Sequence, residues 1–166
     1  MKNIKNLRPT KNSKYKQGLY APLNPSKYIG DINNIIYRSS WERKFCQYCD
    51  TNPNIVKWSS EPLSGIKYWS PIDKKEHTYF VDYYIQVKKL DGTIEDWLIE
   101  IKPENQYDIN KRPKEPVGNL TEKKVRAYNQ KLQIWITNRA KFEAATRFAE
   151  SRGYKFGAIN EKFIMR

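Results

Sequence analysis

The chain predicts an α/β domain in which a mixed central sheet is flanked by helices. Three observations carry that prediction. Tyr79–Ile85 and Leu98–Lys102 are runs rich in β-branched and aromatic residues, which suit buried strands. Ahead of them, Trp41, Phe45, Tyr48 and Cys49 recur at helical spacing. Behind them come two further helical stripes and a last apolar run, so the order is helix, strands, helices, strand. At 166 residues the chain has enough length for one domain with a substantial core.

Residues 1–20 read as a basic, disordered arm, followed by a single domain over 21–166. Leu23-Asn24-Pro25 and Gly30-Asp31 are turn material. The first helix starts after Ser39 and stops at Asn52-Pro53-Asn54. Short strands follow at 55–60 and 66–69, around a Pro62/Gly65 break, and Ser70-Pro71-Ile72-Asp73 turns the chain. Residues 77–89 and 94–102 then form a long hairpin. Residues 103–119 hold three prolines, a glycine and few apolar groups, which predicts a flexible loop. Val125, Tyr128, Leu132 and Trp135 give a second helix its stripe. Asn138 would cap a third, with Phe142, Ala145, Phe148 and Ala149 inward and Gly153 as its stop. Residues 154–159 make the last strand. Trp58, Trp69, Trp97 and Trp135 read as core residues rather than base-stacking ones.

Net charge is +13 and the pI about 9.6, a field that draws polyanions. Residues 1–30 carry seven basic side chains, among them Lys14 and Lys16, with no acid before Asp31. Such an arm suits nucleic acid, and a solvated terminus is the plainer alternative. No apolar run approaches the ~20 residues that span a bilayer, and no apolar stretch follows the basic N-terminus as in a secretory signal. The expectation is therefore a cytoplasmic protein with no membrane partner. Cys46 and Cys49 are the two cysteines and His77 the one histidine, too few for a tetrahedral zinc site. The C-x-x-C reads as two small core residues one helical turn apart, with a redox pair as its rival.

The chemistry concentrates in Asp82, Glu100 and Lys102. Buried strands carry charge only where partners or a metal offset the desolvation. Side chains two apart on a strand share a face, so Glu100 and Lys102 lie together. Whether Asp82 joins them depends on the turn. A two-residue Asp91-Gly92 turn would pair Leu90 with Thr93 and set Asp82 against Ile101, on the wrong face. A three-residue loop, Leu90-Asp91-Gly92, pairs Lys89 with Thr93 and sets Asp82 against Glu100. Glycine suits the left-handed last position of such a loop, and this register is the one predicted.

Acid, then acid-x-Lys, on neighbouring strands is the skeleton of the PD-(D/E)xK nucleases. Asp82 and Glu100 supply hard oxygen ligands for Mg²⁺ or Mn²⁺, and in the family pattern the Ile101 carbonyl joins them. Lys102 would orient the attacking water. Glu42, on the first helix, is the candidate third acid. Ser39-x-x-Glu42 is also a capping box, and the two roles are compatible. The plainer alternatives are Asp82 as an edge-strand polar residue and Glu100 with Lys102 as a cross-strand ion pair. His77 is a candidate phosphate contact or general base, with a satisfied turn residue as the plainer reading; Asn138 and Lys141 are candidates for the same cleft, against helix capping and surface charge, and Arg38 joins the DNA-binding set. Glu61 ranks below the three acids.

At these residues the sequence resembles the head-completion nucleases of T4-like tailed phages. The matching pieces are residues 24–31, Tyr37-Arg38-Ser39-Ser40-Trp41-Glu42, Lys57-Trp58-Ser59-Ser60-Glu61, Ser70-Pro71-Ile72-Asp73, His77–Asp82, Ile99–Pro103, Thr137–Ala145 and Arg152–Phe156. They cover roughly residues 20–160. The core is also similar to the TnsA transposase endonuclease domain, which likewise takes its first acid from a helix. The resemblance implies a restriction-endonuclease-like fold, endonuclease activity on DNA late in head assembly, and Glu42, Asp82, Glu100 and Lys102 as the catalytic set. Val81 stands where the motif has proline, which shapes backbone and binds nothing. Head, portal or neck proteins would be the protein partners, in the host cytoplasm during assembly or on the virion. Two alternatives stay open: a catalytically silent head-completion protein that binds DNA or the portal, and a structure-selective recombination or transposition nuclease.

Overall fold

The computed structural model describes residues 17–62 and 64–164. Its elements are β1 (Gly18–Leu19), β2 (Ile36–Tyr37), α1 (Ser40–Thr51), β3 (Ile55–Ser60), β4 (Ile66–Ser70), β5 (Lys75–Tyr79) and β6 (Tyr83–Lys88). They continue with β7 (Ile94–Ile101), α2 (Glu104–Tyr107), α3 (Glu122–Glu150), β8 (Lys155–Ile159) and α4 (Glu161–Ile164). The central sheet runs β3-β6-β7-β8, with antiparallel pairs except for the parallel β7–β8 edge. It is the mixed sheet the sequence predicts. β1 with β2, and β4 with β5, form two small antiparallel sheets.

Alternation along the strands gives the sheet two apolar faces. On one, Tyr83, Ile85, Ile99 and Ile101 pack with Phe45, Cys46 and Cys49 of α1 and with Trp58. On the other, Leu98 packs with Ala144, Ala145 and Ala149 of α3 and with Tyr68, Tyr79 and Val81. The two cysteines are free and fully buried, and burial pushes the Cys46 thiol up to about 12 and Cys49 well above its ordinary value. They are core residues, as expected. Ser39 caps α1 by accepting from the Glu42 amide.

The β6–β7 hairpin adopts the predicted register. Lys88 pairs with Ile94 and Tyr83 with Ile99, and the Lys89 amide donates to the Thr93 carbonyl at 2.8 Å. Gly92 takes φ +84°, the left-handed conformation that closes the three-residue loop.

Five expectations need correction. The run 77–89 is two strands in two sheets: β5 pairs with β4, and after a break at Phe80–Asp82 the chain enters β6 beside β3. The return from β3 to β4 crosses the same seam, and the Glu61 amide ties the crossings together by donating to the Asp82 carbonyl at 2.8 Å. The second and third helices are one, because Asn138 does not cap anything. It is buried mid-helix in α3 and donates its amide to the Gln106 carbonyl at 3.3 Å. Residues 103–119 include the helical turn α2, held where the Glu104 amide donates to Glu161 at 2.9 Å and Trp135 donates to the Ile109 carbonyl at 2.9 Å. Within the arm read over 1–20, Gly18–Leu19 pair with Ile36–Tyr37, while residues 1–16 lie outside the described residues. Trp69 is 61% exposed, since it points outward from β4, whose buried face carries Ile66 and Tyr68.

Asp50, at the end of α1, fastens the N-terminal segment to the core. Its carboxylate accepts from the Leu23 amide (2.7 Å), the Asn24 amide (2.9 Å) and the Tyr20 hydroxyl (2.9 Å). Its carbonyl accepts from the Lys27 ammonium at 2.8 Å.

Candidate active site at the seam between sheets

The end of β7 brings the predicted acids together. Glu100 is 2% exposed and shares the α3 face of the sheet with Leu98. One carboxylate oxygen accepts from the Tyr79 hydroxyl at 2.7 Å and from the Asp82 amide at 3.3 Å. The other forms an ion pair with the Lys102 ammonium at 2.5 Å. Asp82 stands opposite, in the break before β6, and its carboxylate accepts from the Ile101 amide at 2.8 Å. An extended residue points its amide and carbonyl to the same strand edge, so the Ile101 carbonyl also faces the Asp82 side. The Lys102 amide points the other way, to the Ile159 carbonyl of β8.

Glu42 enters over the opposite face, from the first turn of α1. Its carboxylate accepts from the Arg38 amide (2.7 Å), one residue before the cap, and from the Ser39 hydroxyl (3.1 Å), a shifted form of the capping box. It is also close enough for its charge to act on Asp82 and Lys102, so the cap and the cluster share one carboxylate. The Arg38 guanidinium pairs with Glu61 at 2.6 Å beside it. Glu61 has φ +45°, unusual for a residue with a side chain, at the point where the chain crosses the seam.

Charge is unbalanced here. Burial, then the neighbouring Glu100, pushes the Asp82 carboxyl well above the usual carboxylate range. Burial also raises Glu42, against its two hydrogen bonds. Burial works to lower the Lys102 ammonium, but Glu100, Asp82 and Glu42 together raise it. Lys141, reaching in from α3 over the Tyr79 ring at 5.6 Å, is lowered by burial and by repulsion from Lys102. The donors are hard oxygens with one lysine paired among them, so a divalent cation fits both their chemistry and the charge deficit. Among the described residues, no three His, Cys, Asp or Glu side chains form a cage by themselves. Backbone oxygen or water would have to complete any metal shell.

The remaining candidates divide. His77, Asn138 and Lys141 line one groove of about 640 Å³ between the β4–β5 hairpin and α3, next to the acid cluster. His77 is held there by Asp73 at 2.8 Å. Arg38 sits at the Glu42 side of the cluster. Lys14 and Lys16 lie outside the described residues. Tyr79 and Glu61 both contact the Asp82–Glu100 pair. Tyr79 opens the run that contains Asp82, yet an aromatic in a strand reads as core, and only the fold aims its hydroxyl at Glu100.

This fold is that of a restriction-endonuclease-like domain, and the chain belongs to the TnsA-like endonuclease family, whose N-terminal domain model matches residues 52–161. Glu42 precedes the matched segment, while Asp82, Glu100 and Lys102 lie within it. The chain is also similar to the head completion nuclease of Enterobacteria phage T4, at 36% identity over 144 residues, which cover 87% of this chain and 90% of that protein. No solved structure matches. No helix among the described residues is long and apolar enough to cross a membrane.

Proposed function

We propose that this protein is a divalent-metal-dependent DNA endonuclease acting in phage head completion and head–tail joining. The observation that carries the reading is Asp82 set against Glu100 at the end of β7, with Lys102 on the Glu100 carboxylate. Membership of the TnsA-like endonuclease family supports the reaction class. The name of the T4 relative supports the setting. Head, portal or neck proteins are the proposed partners, in the host cytoplasm during assembly or on the virion.

Asp82, Glu100 and the Ile101 carbonyl would hold Mg²⁺ or Mn²⁺, and Glu42 would reach the ion through water. Bound there, the ion would lower the pKa of water and neutralise charge on the phosphodiester. Lys102 keeps its proton through its three acidic neighbours, so it presents a cation to the attacking water and to the charge that builds on phosphorus. Tyr79 fixes Glu100 in one orientation. Lys141, with His77 and Asn138 along the same groove, would receive the strand beside the scissile bond. A silent DNA-binding role draws on one observation, the commitment of Glu42 to its helix cap.

Plasmid cleavage separates the two. Nicking or linearisation of closed circles with Mg²⁺ or Mn²⁺, abolished by EDTA and by Asp82→Ala, is the expected result. Folded protein that binds DNA without cutting it in either metal would overturn the catalytic reading.

A further inference from the structure

The first half of α3 carries a feature the acid cluster does not use. The helix runs 29 residues, about 43 Å at 1.5 Å per residue. Its second half packs on the sheet through Phe142, Ala144, Ala145 and Ala149. From Glu122 to Thr137 no residue is buried, and Asn138 is the first that is. The N-terminal half therefore runs along the surface, with the 103–120 segment beside it. Between residues 111 and 131, Lys and Arg outnumber Asp and Glu by seven to two.

A depression of about 300 Å³ lies between this half-helix and the 105–114 segment, with Lys111, Lys114 and Lys131 at its rim and Trp135 in its wall. The wall is fixed: the indole donates to the Ile109 carbonyl at 2.9 Å, and Arg139 lies 5.6 Å from the ring centre. Lys111 pairs with Asp108 at 3.3 Å, whereas no ion pair engages Lys114 or Lys131 among the described residues. Ile134 borders this depression and also the groove that holds His77, Asn138 and Lys141. The two depressions therefore meet at Ile134 on α3. Lys131 precedes Lys141 by ten residues, about 15 Å along the axis, and Lys123 precedes it by about 27 Å. One turn of B-DNA is about 34–36 Å.

We infer that the exposed half of α3 and the Lys111–Lys114 segment form a second DNA-binding surface, which holds the phosphates of a duplex extending about one helical turn away from the acid cluster. The partner is duplex DNA because the surface is strongly basic, with Lys114 and Lys131 in no ion pair among the described residues, and because it adjoins the groove of the proposed active site at Ile134. The inference rests on the nuclease reading for its substrate and extends it from a strand at the cut to the duplex around it.

The test combines Lys111→Ala, Lys114→Ala and Lys131→Ala in the full chain. Binding to a fluorescent duplex of about 30 bp, roughly 100 Å long, is followed by anisotropy in EDTA from 50 to 200 mM salt. Each phosphate contact contributes about 0.9 to the slope of log affinity against log salt, so three lost contacts flatten the slope by about 2.7. Over that fourfold salt range the affinity gap between wild type and the triple variant should then narrow by about 40-fold. The thermal midpoint should not change.

An unchanged slope and affinity, while Asp82→Ala still abolishes cutting, would overturn the inference and leave the nuclease reading intact. A flattened slope in a protein that never cuts would do the reverse. An equal effect on a single strand of the same length would overturn the assignment to a duplex. A self-association lost in the triple variant, with DNA affinity unchanged, would assign the surface to a second copy of the chain instead.

Discussion

Replacing Lys102 with methionine removes the cation from the Asp82–Glu100 pair while keeping most of the side chain's bulk. Glu100 is 2% exposed and loses a partner at 2.5 Å. It keeps Tyr79 and the Asp82 amide, which do not supply charge. Removing one member of a buried pair costs about 3–5 kcal/mol, and the part-exposed Lys102 places this case near about 3. For a domain of this size that is a fall of about 6–12 °C in the thermal midpoint. The pH dependence has a definite sign. The folded pKa of Asp82 lies above its unfolded value, so its ionisation destabilises the fold as pH climbs from about 4 through the raised value. Removing Lys102 adds to that penalty, because a cation that favoured ionisation is gone. The loss in Lys102→Met should be larger at pH 8 than at pH 5. Millimolar Mg²⁺ or Mn²⁺ should recover part of it at pH 8 and little at pH 5, where protons compete. Thermal unfolding by circular dichroism at both pH values, with and without metal, measures all of this. An equal loss at both pH values with no response to metal would refute the claim that buried negative charge is what Lys102 offsets.

Three further outcomes follow from particular contacts. Asp50→Ala should cost about 2–3 kcal/mol and open residues 20–28 to proteolysis, because it removes the acceptor of two amides and a hydroxyl. Burial works to raise Asp50, but those hydrogen bonds leave its carboxyl below the usual range, so this contribution holds above pH of about 4 and fades as acid takes the pH through the lowered value. Gly92→Ala should cost about 1–2 kcal/mol in chemical denaturation purely through its positive φ, since nothing lies within 4 Å of an added methyl. Ser39→Ala should lower stability by about 1 kcal/mol and slow plasmid cutting as well, because the hydroxyl that caps α1 also holds Glu42. Loss of stability with an unchanged cutting rate would separate Glu42 from the chemistry.

The hairpin was legible because its register depends on local quantities: the loop length, a glycine in the left-handed position, and alternation on either side. From that register came Asp82 opposite Glu100 and Lys102 beside them. The break at Phe80–Asp82 was not legible, because Tyr79–Ile85 is an unbroken run of strand-forming residues apart from Asp82. Its division between two sheets depends on Ile66 and Ser60, which pair with its two halves. Asn138 misled for a related reason. Its residue type favours a helix end, yet a partner 32 positions away satisfies it inside the helix. The Asp50 junction spans 23 to 30 residues and leaves no periodic trace. Lys141 was visible as a candidate, but only the packing of α3 across the sheet brings it beside Tyr79 and within reach of Lys102.

Tyr79 is the last residue of the small β4–β5 sheet, and its hydroxyl holds a carboxylate on the central one. A wall of the groove and an oxygen of the acid cluster are thus joined through one rigid ring. His77, two residues earlier on the same strand, lines that groove. The hairpin that walls the groove thus also sets the orientation of Glu100, so the strand that would meet the substrate and the acid that would meet the metal share one support.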